Sequence, residues 1–150
     1  MNNIIATPAP TTLIMKHTFN ASPERVYKAW TDPAIMREFM CVSDNAQVEV
    51  ETDVRLAGSF RIAMHREDGE KFIATGTYRE LVPNERIVCT WSWEEDDPAL
   101  ARETILTLEF APRGTQTELT LTHENFRDAQ QRDNHAKGWG AMLAELDRVL

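Results

Sequence analysis

The sequence predicts an α+β fold of order β-α-α-β6-α, a curved antiparallel sheet wrapped around a long C-terminal helix. Three observations predict it. Between residues 46 and 124, apolar and polar side chains alternate in runs separated by short turn signals, the pattern of an antiparallel meander. From about 129 to 149 the period becomes helical. Inside that stretch, "HAKGWGAMLAEL" sets Gly138 and Gly140 on either side of Trp139, although a glycine costs a helix about 0.8–1 kcal/mol relative to alanine.

Residues 1–11, with Pro8 and Pro10, read as a flexible N-terminal arm, and residues 12–150 as one domain. "TLIMKHTF" at 12–19 is the first strand. Ser22 then serves as an N-cap, Pro23 fits the first helical position and Glu24 suits the positive end of the helix dipole. Val26, Ala29 and Trp30 form one face of that helix. Asp32-Pro33 repeats the signal and opens a second helix with Ile35, Met36 and Phe39 on its apolar side. The meander follows. Its inward sets are Val48 and Val50; Phe60, Ile62 and Met64; Phe72, Ala74, Gly76 and Tyr78; Ile87, Cys89, Trp91 and Trp93; Leu106, Leu108 and Phe110; and Leu119, Leu121 and His123. "EDGE" at 67–70 and "VPNE" at 82–85 are its clearest turns. On a helical wheel centred at Trp139, the residues Ala136, Met142, Leu143, Leu146, Val149 and Leu150 fall within an arc of roughly 140°. Gly138 and Gly140 stand at its shoulders, about 100° to either side. Slim shoulders suit a helix sunk in a concave sheet, with both glycines expected close to flanking strands.

Composition excludes several function classes. The formal net charge is −8, with only four lysines and with twelve arginines scattered along the chain. Nucleic-acid binding draws on clustered cations, so no nucleic-acid partner is expected. No apolar run approaches the ~18 residues of a membrane span, so no membrane insertion is expected. The N-terminus lacks the basic and apolar regions of a secretory signal, and Cys41 and Cys89 read as reduced thiols; both point to the cytoplasm. The acidic run "EEDD" at 94–97 reads as a solvated loop. There is no Gly-x-Ser-x-Gly elbow, His-Glu-x-x-His, phosphate-cradling loop or dinucleotide fingerprint, so neither a cofactor nor a metal is expected. Asp53, Arg55 and Tyr78 read as a polar cluster at the sheet edge or, more simply, as an Asp53–Arg55 ion pair in a turn.

The element order resembles the helix-grip fold of the START-like (SRPBCC) superfamily. "FNASPERVYKAWTDP", "DVRLAGSFRIAM", "GTYRELVPNERIVCTW", "LTLTHENF" and "HAKGWGAMLAEL" resemble segments of one family within it: the homologues of the heat-shock protein 90 ATPase activator, of the C-terminal-domain type. The similarity spans about residues 12–150. Two positions depart from the family pattern: "REFMCV" replaces a tryptophan-rich end of the second helix, and Ala57 stands where a second glycine is usual.

The resemblance implies a cavity between sheet and terminal helix. Facing it would be Phe39, Phe60, Met64, Phe72, Tyr78, Trp91, Trp93, Phe110, His123, His135, Trp139, Met142 and Leu143. Such a large, soft, aromatic set with few polar groups suits a small apolar or aromatic ligand, and it would equally fill a core. His123 and His135 are expected to meet at one end, as a polar anchor, an acid/base pair or a pair of hydrogen-bonded core groups. Three functions follow from these features. The leading one is a binding protein for an apolar or aromatic small molecule or lipid. The others are a chaperone-associated regulator, implied by the family, and an enzyme with a histidine base, which lacks a nucleophile–base–orienter set.

Overall fold

The computed structural model of the chain describes residues 4–41, 45–95, 97, 99 and 101–150. Its elements in order are β1 (Ile4–Ala9), β2 (Thr12–Phe19), α1 (Pro23–Ala29), α2 (Pro33–Phe39), β3 (Gln47–Thr52), β4 (Ser59–His65), β5 (Lys71–Val82), β6 (Arg86–Trp93), β7 (Thr104–Arg113), β8 (Gln116–Glu124) and α3 (Ala129–Val149). The eight strands form one curved antiparallel sheet in the order β1-β2-β8-β7-β6-β5-β4-β3, with the long helix α3 in its grip. The helix-grip architecture expected from the sequence is present.

Local chemistry sets the element boundaries. The Ser22 hydroxyl accepts the Arg25 N–H at 3.4 Å and the Asp32 carboxylate accepts that of Ala34 at 2.9 Å. Each cap is followed by proline at the first helical position, where no N–H is needed. At α3, Asp128 accepts the Gln131 N–H at 2.9 Å, which pulls its carboxyl below the ordinary carboxylate value. The inner face of the sheet carries the core: Leu13, Met15 and Phe19 of β2, Leu119 and Leu121 of β8, Leu106 and Leu108 of β7, and Ile62 of β4 are all buried. Trp139, Leu143 and Leu146 of α3 close over it. At Gly76, midway along β5, a Cβ would collide with the Thr90 carbonyl and the Phe60 ring, so neighbouring segments approach there as only glycine allows.

Two expectations are corrected. The arm at 1–11 is not free along its length, because Ile4–Ala9 pairs with β2 as an edge strand. Its residues are exposed, Ile4 by 65% and Ile5 by 53%, so main-chain bonds hold it and no buried face betrays it in the sequence. The pairing is irregular between Ala6 and Ala9, and an edge tolerates the missing N–H of Pro8. The second correction concerns Gly138. It is exposed, and a Cβ built on it meets nothing within 4 Å. Close approach of a strand therefore does not explain this glycine; Gly140 is half-buried. Within the acidic run, Asp96 lies outside the described residues, as does Val42 after α2.

Candidate functional site

Where the N-terminal half of α3 passes the start of β5 and the end of β6, the surface opens into a groove of about 840 Å3. That volume lies within the ~300–1,000 Å3 typical of small-molecule sites. Phe72, Trp91, Trp93, His135, Trp139 and Met142 line it, with Lys71, Glu94, Glu95 and Asn134 also contributing. Gly138 belongs to this lining too. Its missing side chain leaves the mouth open between helix and sheet.

The rings are arranged mostly edge to face. Trp91 and Trp93 stand 5.7 Å apart at 84°, Phe72 meets Trp93 at 6.5 Å and 79°, and Trp91 meets Trp139 at 5.1 Å and 56°. Strand alternation brings Trp91 and Trp93 to one face of β6, and the pairing of Ala74 with Trp93 sets Phe72 beside them. Phe72 is 40% exposed and contributes to the lining of the open groove.

Two histidines stand behind this wall. The rings of His123 and His135 lie 5.1 Å apart, so the expected meeting occurs. Each accepts an indole N–H: Trp139 donates to Nδ1 of His123 at 3.1 Å, and Trp93 donates to Nε2 of His135 at 2.9 Å. The remaining nitrogens therefore carry the protons of the neutral rings. Nε2–H of His123 donates to the Thr104 hydroxyl at 2.7 Å, which donates to the Trp91 carbonyl at 2.7 Å. Nδ1–H of His135 donates to the Gln131 carbonyl at 2.8 Å. Burial, reinforced by His135, holds His123 well below the ordinary imidazole value of 6.5. Burial also lowers His135, against the pull of the Gln131 carbonyl. Both rings are neutral and both acceptor lone pairs are engaged. Two tryptophans are thereby fixed in orientation.

The structure thus divides the thirteen sequence candidates. Phe72, Trp91, Trp93, His135, Trp139 and Met142 share the groove. His123 supports it from behind. Phe60 and Tyr78 instead line an inner cavity of about 20 Å3 beneath α1 and α2, which Trp91 also borders. Burial pushes the Tyr78 phenol up, so it stays protonated. Phe39 packs on Trp30 at 5.2 Å and Phe110 on Tyr27 at 5.6 Å, while Met64 and Leu143 are buried in the core. The open space lies beside the helix rather than beneath it. The lining residues that pattern reading passed over are Gly138, Asn134, Lys71, Ile73, Glu94 and Glu95. The signal for Gly138 was present, a helical glycine one position from the largest side chain, but it read as close packing. Asp53 and Arg55 form a simple exposed ion pair at 2.7 Å.

A second hollow of about 960 Å3 lies beside α2 and the end of α3, lined by Arg37, Glu38, Arg66, Glu67, Asp68, Glu145 and Arg148 among others. Its walls carry charges of both signs and no aromatic ring, unlike the groove. Among the described residues, no helix is long and apolar enough to cross a membrane, and no three His, Cys, Asp or Glu side chains gather to hold a metal.

Similarity to known proteins follows the fold. Protein CV1439 from Chromobacterium violaceum superposes with a TM-score of 0.84 and 31% identity, over 94% of this chain and 97% of its own. Protein Ms6760 from Mycobacterium smegmatis superposes with a TM-score of 0.81 over 98% and 97% of the two chains; at 15% identity it shows the fold alone. The human and mouse proteins named activator of 90 kDa heat shock protein ATPase homolog 1 are each 29% identical to it over 130 residues. That alignment covers 85% of this chain and 33% of theirs, so the chain spans about a third of the length of these relatives. Residues 20–150 match the family described as activator of Hsp90 ATPase homolog 1-like protein, and the chain belongs to that family.

Proposed function

We propose that this domain binds a small apolar or aromatic molecule in the groove between α3 and the adjoining ends of β5 and β6. One observation carries the reading: four aromatic rings, Phe72, Trp91, Trp93 and Trp139, converge on one open space with a partly exposed Phe72 at its side. Covering 200–300 Å2 of apolar surface at ~25 cal/mol per Å2 gives roughly 5–7 kcal/mol before entropic costs. A generic ring-sized compound is then held in the micromolar-to-millimolar range.

The test uses N-phenyl-1-naphthylamine, a neutral fluorescent probe, and the variant Gly138→Leu. A leucine suits a helix, its Cβ meets nothing within 4 Å at this position, and Gly138 belongs to the groove lining, so the added side chain is expected to fill the mouth. Probe enhancement coupled to tryptophan quenching is expected in the wild type and is lost in the variant. Equal binding by both proteins defeats the reading. Native mass spectrometry of gently purified protein then seeks the retained natural ligand.

A second reading, action on the heat-shock protein 90 ATPase, is favoured by the family match and by the names of the mammalian relatives. Stimulation of that ATPase by this domain at micromolar concentration would establish it. The groove reading ranks first because it rests on features of this chain. General-base chemistry at His123 or His135 ranks last, since both lone pairs already hold indole protons.

A further inference from the structure

Two of the four tryptophans, Trp93 and Trp139, donate their indole N–H groups to histidines, whereas Trp30 and Trp91 meet no acceptor among the described residues. The two histidine pairs repeat one chemistry at two depths. His123 and Trp139 are buried to 0% and 3% exposure. His135 and Trp93 are only half-buried, and both line the groove. A proton added to the first pair acts on the fold. One added to the second acts on the site.

At the second pair an incoming proton has one place to go. Nδ1–H of His135 is engaged by the Gln131 carbonyl at 2.8 Å, so the proton takes Nε2, which lies 2.9 Å from the indole nitrogen of Trp93. Two N–H donors would then face each other, and an imidazolium has no acceptor to offer in any orientation of its ring. Trp93 must give way. It is the last residue of β6, and its ring stands 5.7 Å from Trp91 and 6.5 Å from Phe72, so its displacement breaks the aromatic wall. The other rings facing His135 are His123 of β8 at 5.1 Å and Phe126 at 4.8 Å. The charged groups of the groove are Lys71, Glu94 and Glu95, of which Glu94 is paired with Arg61 at 3.1 Å. On α3 itself, Arg132 and Asp133 pair with each other at 3.0 Å. Burial lowers His135 from the ordinary value of 6.5 and holds His123 well below it. Acid therefore reaches the groove before it reaches the buried pair.

We propose that His135 is a positioning residue for the groove: its unprotonated Nε2 holds Trp93 in the wall, and acid releases a bound aromatic molecule by placing a proton on that atom while the fold persists. The inference rests on the groove reading above and adds regulation to it. Affinity is complete above about pH 6.5 and is lost as pH falls below that value.

The test follows N-phenyl-1-naphthylamine, which stays neutral over this range, from about pH 7.5 to about pH 5 in the wild type and in His135→Gln. The glutamine carries an amide oxygen near the position of Nε2 and takes up no proton. The readout is the ratio of affinities at the two pH values within each protein. It is expected to be about five- to tenfold in the wild type, the worth of one hydrogen bond, and close to one in the variant. In 15N-labelled wild type, the Trp93 indole proton is expected to move upfield as affinity falls, while that of Trp139 stays in place. This readout needs no variant and stands should His135→Gln fold poorly. A flat affinity in the wild type, equal ratios in the two proteins or a stationary Trp93 signal overturns the positioning role and leaves the groove reading intact. Joint movement of the Trp93 and Trp139 signals, as opening of the whole fold would produce, overturns it too. Absence of probe binding at pH 7.5 overturns both.

Discussion

The indole nitrogen of Trp139 lies 3.1 Å from Nδ1 of His123, joining the gripped helix to the last strand of the sheet through one buried hydrogen bond. A proton on that nitrogen would face an N–H already pointing at it. The neutral ring is the one the fold requires.

Stability should therefore fall with acid. An unfolded histidine takes a proton near 6.5, whereas the folded His123 resists it and His135 does so to a lesser degree. Below that pH the unfolded state binds more protons, so this contribution is complete above about 6.5 and is lost as pH falls through it. Urea denaturation between pH 7.5 and 5.5 is expected to show a decline of about 1 kcal/mol per pH unit on the acid side. In His123→Gln the decline should flatten. An identical slope in the variant would remove His123 as its source.

The two kinds of tryptophan should respond differently to losing the N–H. Trp139→Phe leaves Nδ1 of buried His123 without its donor, whereas Trp91→Phe removes a donor that meets no acceptor among the described residues. The first is expected to cost about 1–2 kcal/mol more than the second, the penalty of an orphaned acceptor. Equal losses in equilibrium unfolding would show that ring volume alone sets the cost.

Gly138→Ala is expected to stabilise the protein by about 0.8–1 kcal/mol, because the added methyl meets nothing and helix propensity alone decides the sign. Thermal melts check this. A destabilised variant would mean that the glycine serves packing, as the sequence pattern first suggests.

Ala57 occupies the left-handed region at φ 65°, a conformation that disfavours residues with a Cβ. Ala57→Gly is expected to gain about 0.5–1 kcal/mol and Ala57→Val to lose at least 1 kcal/mol. If the glycine variant is less stable in denaturant melts, strain at this turn is absent.

How far the sequence could be read depended on what held each segment. Strands with one buried face, such as β7 and β8, announce themselves because Leu106, Leu108, Leu119 and Leu121 must alternate with polar neighbours. The caps at Ser22 and Asp32 mark their helices just as plainly, since unpaired N–H groups need a side-chain oxygen, whereas the Asp128 cap of α3 was not read from the sequence. Main-chain pairing leaves no such trace, so β1 was legible only as an arm. At the site, alternation identified Trp91, Trp93 and Trp139 as inward residues. It could not tell core from groove, because Phe60 and Phe72 share the same phase and differ only in whether α1, α2 and α3 cover them. Gly138 shows the same ambiguity: a slim helix shoulder serves a close neighbour or an open mouth, and only the coordinates of the surroundings distinguish them.

The pairing of β2 with β8 also governs how the chain must fold. Thr12 lies opposite Glu124 and Phe19 opposite Thr117, so the first core strand waits for nearly the whole chain before its main partner exists. The hairpins from β3 to β8 close short loops, whereas this pairing closes a very long one and bears a correspondingly larger entropic cost. The meander is expected to nucleate, with β2 and β1 adding afterwards. Stopped-flow kinetics make the order visible. Leu108→Ala in β7 should slow refolding, while Leu13→Ala in β2 should mainly hasten unfolding. A nascent chain would thus expose the inner face of its sheet until α3 has been synthesised and docked. During that interval Trp91 and its neighbours are open to any hydrophobic surface nearby.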